Sequence, residues 1–97
     1  MSRERLEKEI ESWVIQQFPE ALALKTHKRD WPDRLFLLPG GRCFFVEFKR
    51  EGKDLRPGQR LAKAALEARG FKVFKIDTVD AGKLLLDSWS LTNDNDN

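Results

Sequence analysis

The feature that most constrains the fold is a pair of apolar segments joined by a proline–glycine turn. Residues 35–38 read Leu-Phe-Leu-Leu and residues 43–46 read Cys-Phe-Phe-Val, compositions that are typical of β-strands. Pro39, Gly40 and Gly41 lie between them. Because glycine adopts positive φ angles at little steric cost, this turn can reverse the chain sharply. The pattern predicts a β-hairpin.

Apolar residues at three- and four-residue steps predict helices on both sides of the hairpin. The first covers residues 3–18, with Ser2 as a suitable N-cap and Pro19 as a barrier to continuation. The second covers residues 57–69, after which Gly70 can end it in left-handed geometry.

Two further strands and a last helix complete the expected topology. Residues 21–27 and 71–76 alternate weakly between apolar and polar side chains, and residues 79–89 indicate a helix. The order αβββαβα, with a helix crossing between the third and fourth strands, predicts an α/β fold in which helices flank a mixed sheet.

Size and composition fit a single globular domain. Of the 97 residues, 40% are hydrophobic and 35% are charged, a balance typical of globular proteins. We expect one domain over residues 1–92 and a disordered polar tail over residues 93–97. No apolar run approaches the ~20 residues of a membrane helix, and no secretory signal is visible, so we expect a cytoplasmic protein without a membrane partner.

The second arm of the hairpin continues into Glu47, Phe48 and Lys49, and Asp33 stands 14 positions before Glu47. Since side chains alternate along a strand, Glu47 and Lys49 share one face. Two carboxylates beside an ammonium group can hold a hard cation and orient a water for phosphodiester hydrolysis. The alternatives are a solvated ion pair at Glu47 and Lys49 and a simple turn at Asp33.

Basic residues are concentrated around these acids. Residues 25–60 contain ten Lys or Arg against five Asp or Glu, although the whole chain carries a formal charge of only +2. A local surplus of positive charge favours a polyanionic partner such as a nucleic acid.

An ordered set of motifs resembles a known nuclease family. Pro32-Asp33 followed by Glu47-Phe48-Lys49 matches the PD-(D/E)XK nuclease pattern. Trp-Pro-Asp-Arg-Leu at residues 31–35, the Pro-Gly-Gly turn, Val-Glu-Phe-Lys at residues 46–49 and Leu-Arg-Pro-Gly-Gln at residues 55–59 resemble the VRR-NUC (virus-type replication-repair nuclease) family. The resemblance covers about residues 7–76 and implies a restriction-endonuclease-like fold. The family often has glycine before Pro-Asp, where this chain has Trp31.

The resemblance implies a catalytic site that uses Mg²⁺ or Mn²⁺. Asp33 and Glu47 would ligate the metal together with the backbone carbonyl of Phe48. Lys49 would lie beside the attacking water, and Gln59 would face the same cleft or simply cap the second helix. The family also has an acid on its first helix, for which Glu7 and Glu11 both remain candidates, with Glu7 preferred.

The resemblance also implies a substrate and an assembly. Stand-alone members, found in phage and bacteria, resemble homodimeric endonucleases that act on branched DNA such as Holliday junctions. The alternatives are a catalytically inactive nucleic-acid-binding module and a dimerisation domain of the same fold. The residues expected to contact DNA are basic or aromatic and lie near the proposed cleft: Lys25, Lys28, Arg29, Trp31, Arg34, Lys53 and Arg56.

Overall fold

A mixed β-sheet organises the molecule. The computed structural model describes the backbone of residues 1–94 and the side chains of residues 1–90, and within these residues the sheet has four strands in the order β1-β2-β3-β4. The predicted hairpin is formed by β2 (Arg34–Leu37) and β3 (Cys43–Phe48), which pair antiparallel. In the turn between them, Gly40 and Gly41 have φ angles of 81° and 77°, which favour glycine.

The outer strands complete the predicted topology. Strand β1 (Leu22–Lys25) pairs antiparallel with β2, and β4 (Lys72–Ile76) pairs parallel with β3. A parallel neighbour requires a crossover, which helix α2 (Pro57–Ala68) provides. The order αβββαβα and the mixed α/β class are therefore confirmed.

Helix α1 (Arg3–Gln17) begins where the sequence predicts, because the Ser2 side chain accepts a hydrogen bond from the backbone N–H of Arg5 at 3.2 Å. Its apolar face buries Leu6, Ile10 and Val14 against the sheet.

Helix α3 (Val79–Asp94) ends five residues after the predicted position at Trp89. It therefore includes residues 93 and 94, which were expected in the polar tail, whereas residues 95–97 lie outside the described residues. Because Gly82 has no side chain, α3 can pack closely against α1 and β4. A Cβ atom at this position would lie 2.7 Å from Ile10 and 2.8 Å from Ile76.

The sheet carries apolar clusters on both faces. On one face Phe36, Phe44, Val46 and Phe48 pack with residues of α1 and α3. On the other face Phe45 packs with residues of α2 and β4, and the Trp31 ring contacts it edge-on at 6.1 Å between ring centroids. Within the described residues, no helix has the length and apolar character needed to cross a membrane.

Candidate active site

The strand register brings Asp33 and Glu47 together. Arg34 is paired with Val46 in the antiparallel β2–β3 ladder, so Asp33, one residue earlier, lies next to Glu47, one residue later. Asp33 is fixed there because its Oδ2 atom accepts a hydrogen bond from the backbone N–H of Phe48 at 2.8 Å. Two carboxyl groups that are far apart in the sequence thus converge at one end of the hairpin.

Glu47 is a buried acid whose hydrogen bonding is incomplete. Its side chain is only 3% exposed. One oxygen, Oε2, accepts a hydrogen bond from Gln59 Nε2 at 3.2 Å, whereas the other, Oε1, has no hydrogen-bond partner within the described residues. A buried carboxylate oxygen without a donor is costly, and such a group requires a specific explanation.

The environment of Glu47 opposes its negative charge. Burial raises the pKa of this carboxyl to about 7, and the neighbouring charge of Asp33 acts in the same direction. The charges of Lys49 and Arg3 lower this pKa, but they do not offset the rise. The site therefore has more negative charge than its own cations neutralise.

Gln59 forms hydrogen bonds to both the start of α2 and Glu47. Its Oε1 atom accepts a hydrogen bond from the backbone N–H of Arg56 at 2.8 Å, which caps the first turn of α2. Its Nε2 atom is the donor to Glu47. One amide therefore connects the start of α2 to the acidic pair and fixes the orientation of the Glu47 carboxylate.

The structure separates the two candidate acids of α1. Glu7 lines the same cleft as Asp33. Burial raises the pKa of the Glu7 carboxyl, and the charge of Asp33 raises it further. Glu11, one turn later, instead accepts a hydrogen bond from Arg34 Nη1 at 2.5 Å. Arg34 is consequently held against α1 as an ion-pair partner, with its side chain only 12% exposed.

The acids do not form a closed set of metal ligands. Among the described residues, no group of three or more His, Cys, Asp and Glu side chains is arranged to hold a metal ion. The pair of Asp33 and Glu47 still fits a hard cation, because Mg²⁺ is commonly bound by one or two carboxylates and keeps several water ligands. The unpaired Glu47 oxygen is the observation that supports this fit.

Lys49 lies directly after β3, two residues beyond Glu47. Its backbone N–H donates to the carbonyl of Ile76 at 3.0 Å, which extends the β3–β4 ladder and fixes the position of the residue. The half-buried side chain lies close enough to Glu47 for its charge to lower the pKa of that carboxyl.

Two neighbouring clefts reach this region. The first, called here the loop cleft, has a volume of about 340 Å³ and is lined by residues of α1, β1 and the loop that follows: Arg3, Glu4, Glu7, Lys25, Thr26, His27, Lys28, Trp31 and Asp33. The second, called the lysine cleft, has a volume of about 530 Å³ and is lined mainly by charged residues: Ser2, Arg3, Glu4, Lys49, Arg50, Lys53, Asp54 and Arg56.

The residues expected to bind DNA are distributed unequally around these clefts. Lys25, Lys28 and Trp31 line the loop cleft, and the Lys28 ammonium lies 5.7 Å from the Trp31 ring centroid. Lys53 and Arg56 line the lysine cleft, where Arg56 is also 3.4 Å from Asp30. Arg29 is exposed, but it is not among the residues that line either of these two clefts.

The loop before Asp33 is held by its own hydrogen bonds. Thr26 donates through its side chain to the carbonyl of Pro32 and through its backbone N–H to that of Asp33, the latter at 3.2 Å. His27 and Asp30 have positive φ angles of 56° and 66°. Since non-glycine residues seldom adopt such angles, the loop conformation is maintained at some cost in strain while it positions Asp33.

Arg3 is a site residue that the sequence interpretation did not include. It lines both clefts, and its charge lowers the pKa values of Glu7 and Glu47. The available signal was its spacing, because Arg3 stands four residues before Glu7 and therefore on the same face of α1.

Comparisons with known proteins agree with this architecture. No family model matches the chain. A solved structure described as "VRR_NUC domain" superimposes with a TM-score of 0.78 and 25% sequence identity, covering 88% of this chain and 94% of that chain. "Putative nuclease p44" of Acyrthosiphon pisum secondary endosymbiont phage 1 is 40% identical over 58 residues, which represent 60% of this chain and 62% of the phage protein.

The sheet, its crossover helix and the paired acids define a nuclease-type domain. The resemblance to the VRR-NUC family that the motifs predict is confirmed by these two comparisons. The chain spans 62% of the length of the phage relative that it matches.

Proposed function

We propose that this domain is a metal-dependent endonuclease that hydrolyses DNA phosphodiester bonds. The observation that carries the proposal is the buried Glu47 oxygen without a donor, beside the Asp33 carboxyl and close to Lys49. A purely structural buried acid would normally have a full set of donors. Here the arrangement lowers stability, and a bound cation would supply the missing positive charge.

Asp33 and Glu47 are the proposed metal ligands, together with the Phe48 carbonyl, and Glu7 is the proposed acid from α1. When bound, Mg²⁺ or Mn²⁺ lowers the pKa of a coordinated water and offsets negative charge on phosphoryl oxygens. Gln59 keeps the Glu47 carboxylate in place through its amide donor. Lys49 orients the attacking water and stabilises negative charge on it, because its ammonium group adjoins the acidic pair.

DNA is the proposed substrate, and branched DNA such as a four-way junction is the preferred form. The lysines and arginines of both clefts supply the positive charge that a phosphate backbone requires. The preference for branched DNA and the homodimer follow from the family resemblance. A two-fold dimer would present two sites to a two-fold junction, and we infer that it acts in the cytoplasm of a bacterial or phage-infected cell.

The direct test is cleavage of end-labelled DNA. Purified protein is incubated with four-way junction, flap, nicked and plain duplex DNA in Mg²⁺, in Mn²⁺ and in EDTA. We expect cleavage with either metal, none in EDTA, and faster cleavage of the branched substrates. Lys49→Ala should abolish it, which also excludes a contaminating nuclease.

The remaining results would change the proposal in defined ways. Binding without cleavage over a wide range of metal concentrations would contradict catalysis and indicate the inactive nucleic-acid-binding module. Equal cleavage of plain duplex and junction would retain the nuclease and remove the preference for branched DNA.

A further inference from the structure

The first turn of α1 separates the loop cleft from the lysine cleft. Arg3 and Glu4 line both of them. Asp33 and Glu7 line the loop cleft, whereas Lys49 lines the lysine cleft. Asp33, Glu7 and Lys49 therefore line two clefts that share Arg3, and a substrate that contacts all three would also lie against this residue.

Arg3 has a side chain that is available for a ligand. It is exposed, and in the described part of the chain it forms no ion pair. Arg5 on the same helix differs, because it lies 3.9 Å from Glu9. A guanidinium group with its donors unused is well suited to bind phosphate oxygens, often through two hydrogen bonds.

Cations lie in both clefts beside Arg3. The lysine cleft has a surplus of positive charge, with Lys49, Arg50, Lys53 and Arg56 in its lining. In the loop cleft Lys25 and Lys28 accompany the acids of the proposed metal site. Cations in two clefts that share a central arginine match a chain of several phosphates better than they match one small anion.

The loop cleft also contains an aromatic surface. Trp31 lines it and is half-buried, with its ring packed edge-on against Phe45. An indole held in this way can stack on an unpaired base, whereas the bases of a duplex are already stacked on one another.

From this arrangement we propose that the loop cleft and the lysine cleft form one continuous track for the backbone of a single DNA strand, with Arg3 binding the phosphate at its centre. Arg3 is then a substrate-positioning residue, and the favoured substrate has an unpaired segment on the loop-cleft side. The inference rests on the proposed nuclease function for the identity of the acidic site.

The test compares Arg3→Ala and Arg3→Lys with Lys8→Ala. Lys8 is an exposed cation on the same helix that lines neither the loop cleft nor the lysine cleft, but an adjacent groove with Arg5 and Glu9. Single-turnover cleavage of a DNA with a single-stranded overhang is measured in Mg²⁺ over a range of protein and KCl concentrations. The rate at saturating protein and the half-saturating protein concentration are obtained separately, and thermal unfolding checks that each variant is folded.

We expect Arg3→Ala to lower the saturated cleavage rate roughly ten- to a hundredfold, since a charged contact at the reacting phosphate is lost. The slope of log affinity against log salt should become shallower by about 0.7, the value for one contact with a single strand. Arg3→Lys should retain the slope and recover part of the rate. Lys8→Ala should remain within about twofold of wild type in rate, because Lys8 lines neither cleft and its exposed charge is screened by salt.

The inference is overturned if Arg3→Ala leaves both the saturated cleavage rate and the salt slope unchanged. It is also overturned if Arg3→Ala and Lys8→Ala lower the cleavage rate equally. If wild-type protein cleaves no substrate, the proposed function fails, and the track is tested by fluorescence anisotropy with the same DNA. The track then requires weaker binding and a shallower salt slope in Arg3→Ala than in Lys8→Ala, and equal binding by both variants would reject it.

Discussion

The two faces of β3 are both buried, but they serve opposite purposes. On one face Phe44, Val46 and Phe48 have at most 1% of their surface exposed and pack into the main apolar core. On the other face Glu47 is 3% exposed, and one of its carboxylate oxygens has no hydrogen-bond donor within the described residues. Equal burial therefore has opposite energetic consequences along a single strand.

This difference separates the part of the strand that stabilises the fold from the part that carries the proposed chemistry. Burying an aromatic ring stabilises a domain by removing apolar surface from water. Burying a carboxylate without sufficient donors costs free energy, and a folded protein tolerates that cost when the rest of its core compensates for it. The main core beneath β3 provides this compensation.

The largest expected effect is the loss of DNA cleavage when Glu47, on the acidic face of β3, loses its charge. Glu47→Gln keeps the size of the side chain and an acceptor for Gln59, but it removes the charge that holds a cation. We expect the single-turnover cleavage rate in Mg²⁺ to fall roughly a thousandfold or more. Glu51→Gln, at an exposed acid that closely follows β3, is the matched control and should retain wild-type activity. Comparable loss in both variants would contradict the assignment of Glu47.

The apolar face should control stability instead. Phe48→Ala removes a fully buried ring and leaves a cavity, so we expect the free energy of unfolding to fall by about 3–5 kcal/mol. Urea denaturation followed by circular dichroism measures this value. Phe71→Ala is the control, because Phe71 is 42% exposed and its removal should cost about 1 kcal/mol or less. Equal losses would show that burial on this face does not determine stability.

The hairpin and the crossover could be predicted because the relevant signals are local. Gly40 and Gly41 mark the turn by their conformational freedom, and Gly70 marks the end of α2. The end of α3 was predicted too early. Residues 90–94 contain neither glycine nor proline, so no strong local signal ends the helix after Trp89.

The candidate site was only partly predictable, because its details depend on contacts between distant elements. Spacing places Glu7 and Glu11 on the same face of α1, one turn apart. Their environments differ because Arg34, 23 residues after Glu11, binds Glu11 and leaves Glu7 beside Asp33. A local pattern contains no information about that pairing, nor about the role of Arg3 between the clefts.

The acidic face should also reveal itself in the pH dependence of stability. Since the pKa of Glu47 is raised to about 7, its contribution to metal-free stability is complete below the ordinary value of 4.5 and is lost as pH rises through about 7. We therefore expect Glu47→Gln to be more stable than wild type by roughly 1–3 kcal/mol at about pH 8 in EDTA. The difference should nearly vanish at about pH 4.

Urea denaturation at several pH values measures this effect. The pKa of Glu7 is also raised, so the unfolding free energy of the Glu47→Gln variant should still fall with rising pH, but less steeply than in wild type. Glu51→Gln should follow the wild-type curve. If Glu47→Gln is less stable than wild type at about pH 8, then the negative charge of Glu47 does not destabilise the folded protein, contrary to its raised pKa.

The smallest expected effects concern Gln59, whose side chain bonds both to the start of α2 and to Glu47. Gln59→Ala removes both the helix cap and the donor to Glu47, so we expect about 1 kcal/mol lower stability and roughly tenfold slower cleavage. Gln59→Glu separates these roles, because a glutamate can still accept the Arg56 N–H but cannot donate to Glu47. It should slow cleavage at least as much as Gln59→Ala while retaining the cap.

Gln16→Ala, at an exposed position of α1, is the control. If Gln59→Glu cleaves at the wild-type rate, capping is the role that matters at this position, and the orientation of Glu47 does not depend on the amide.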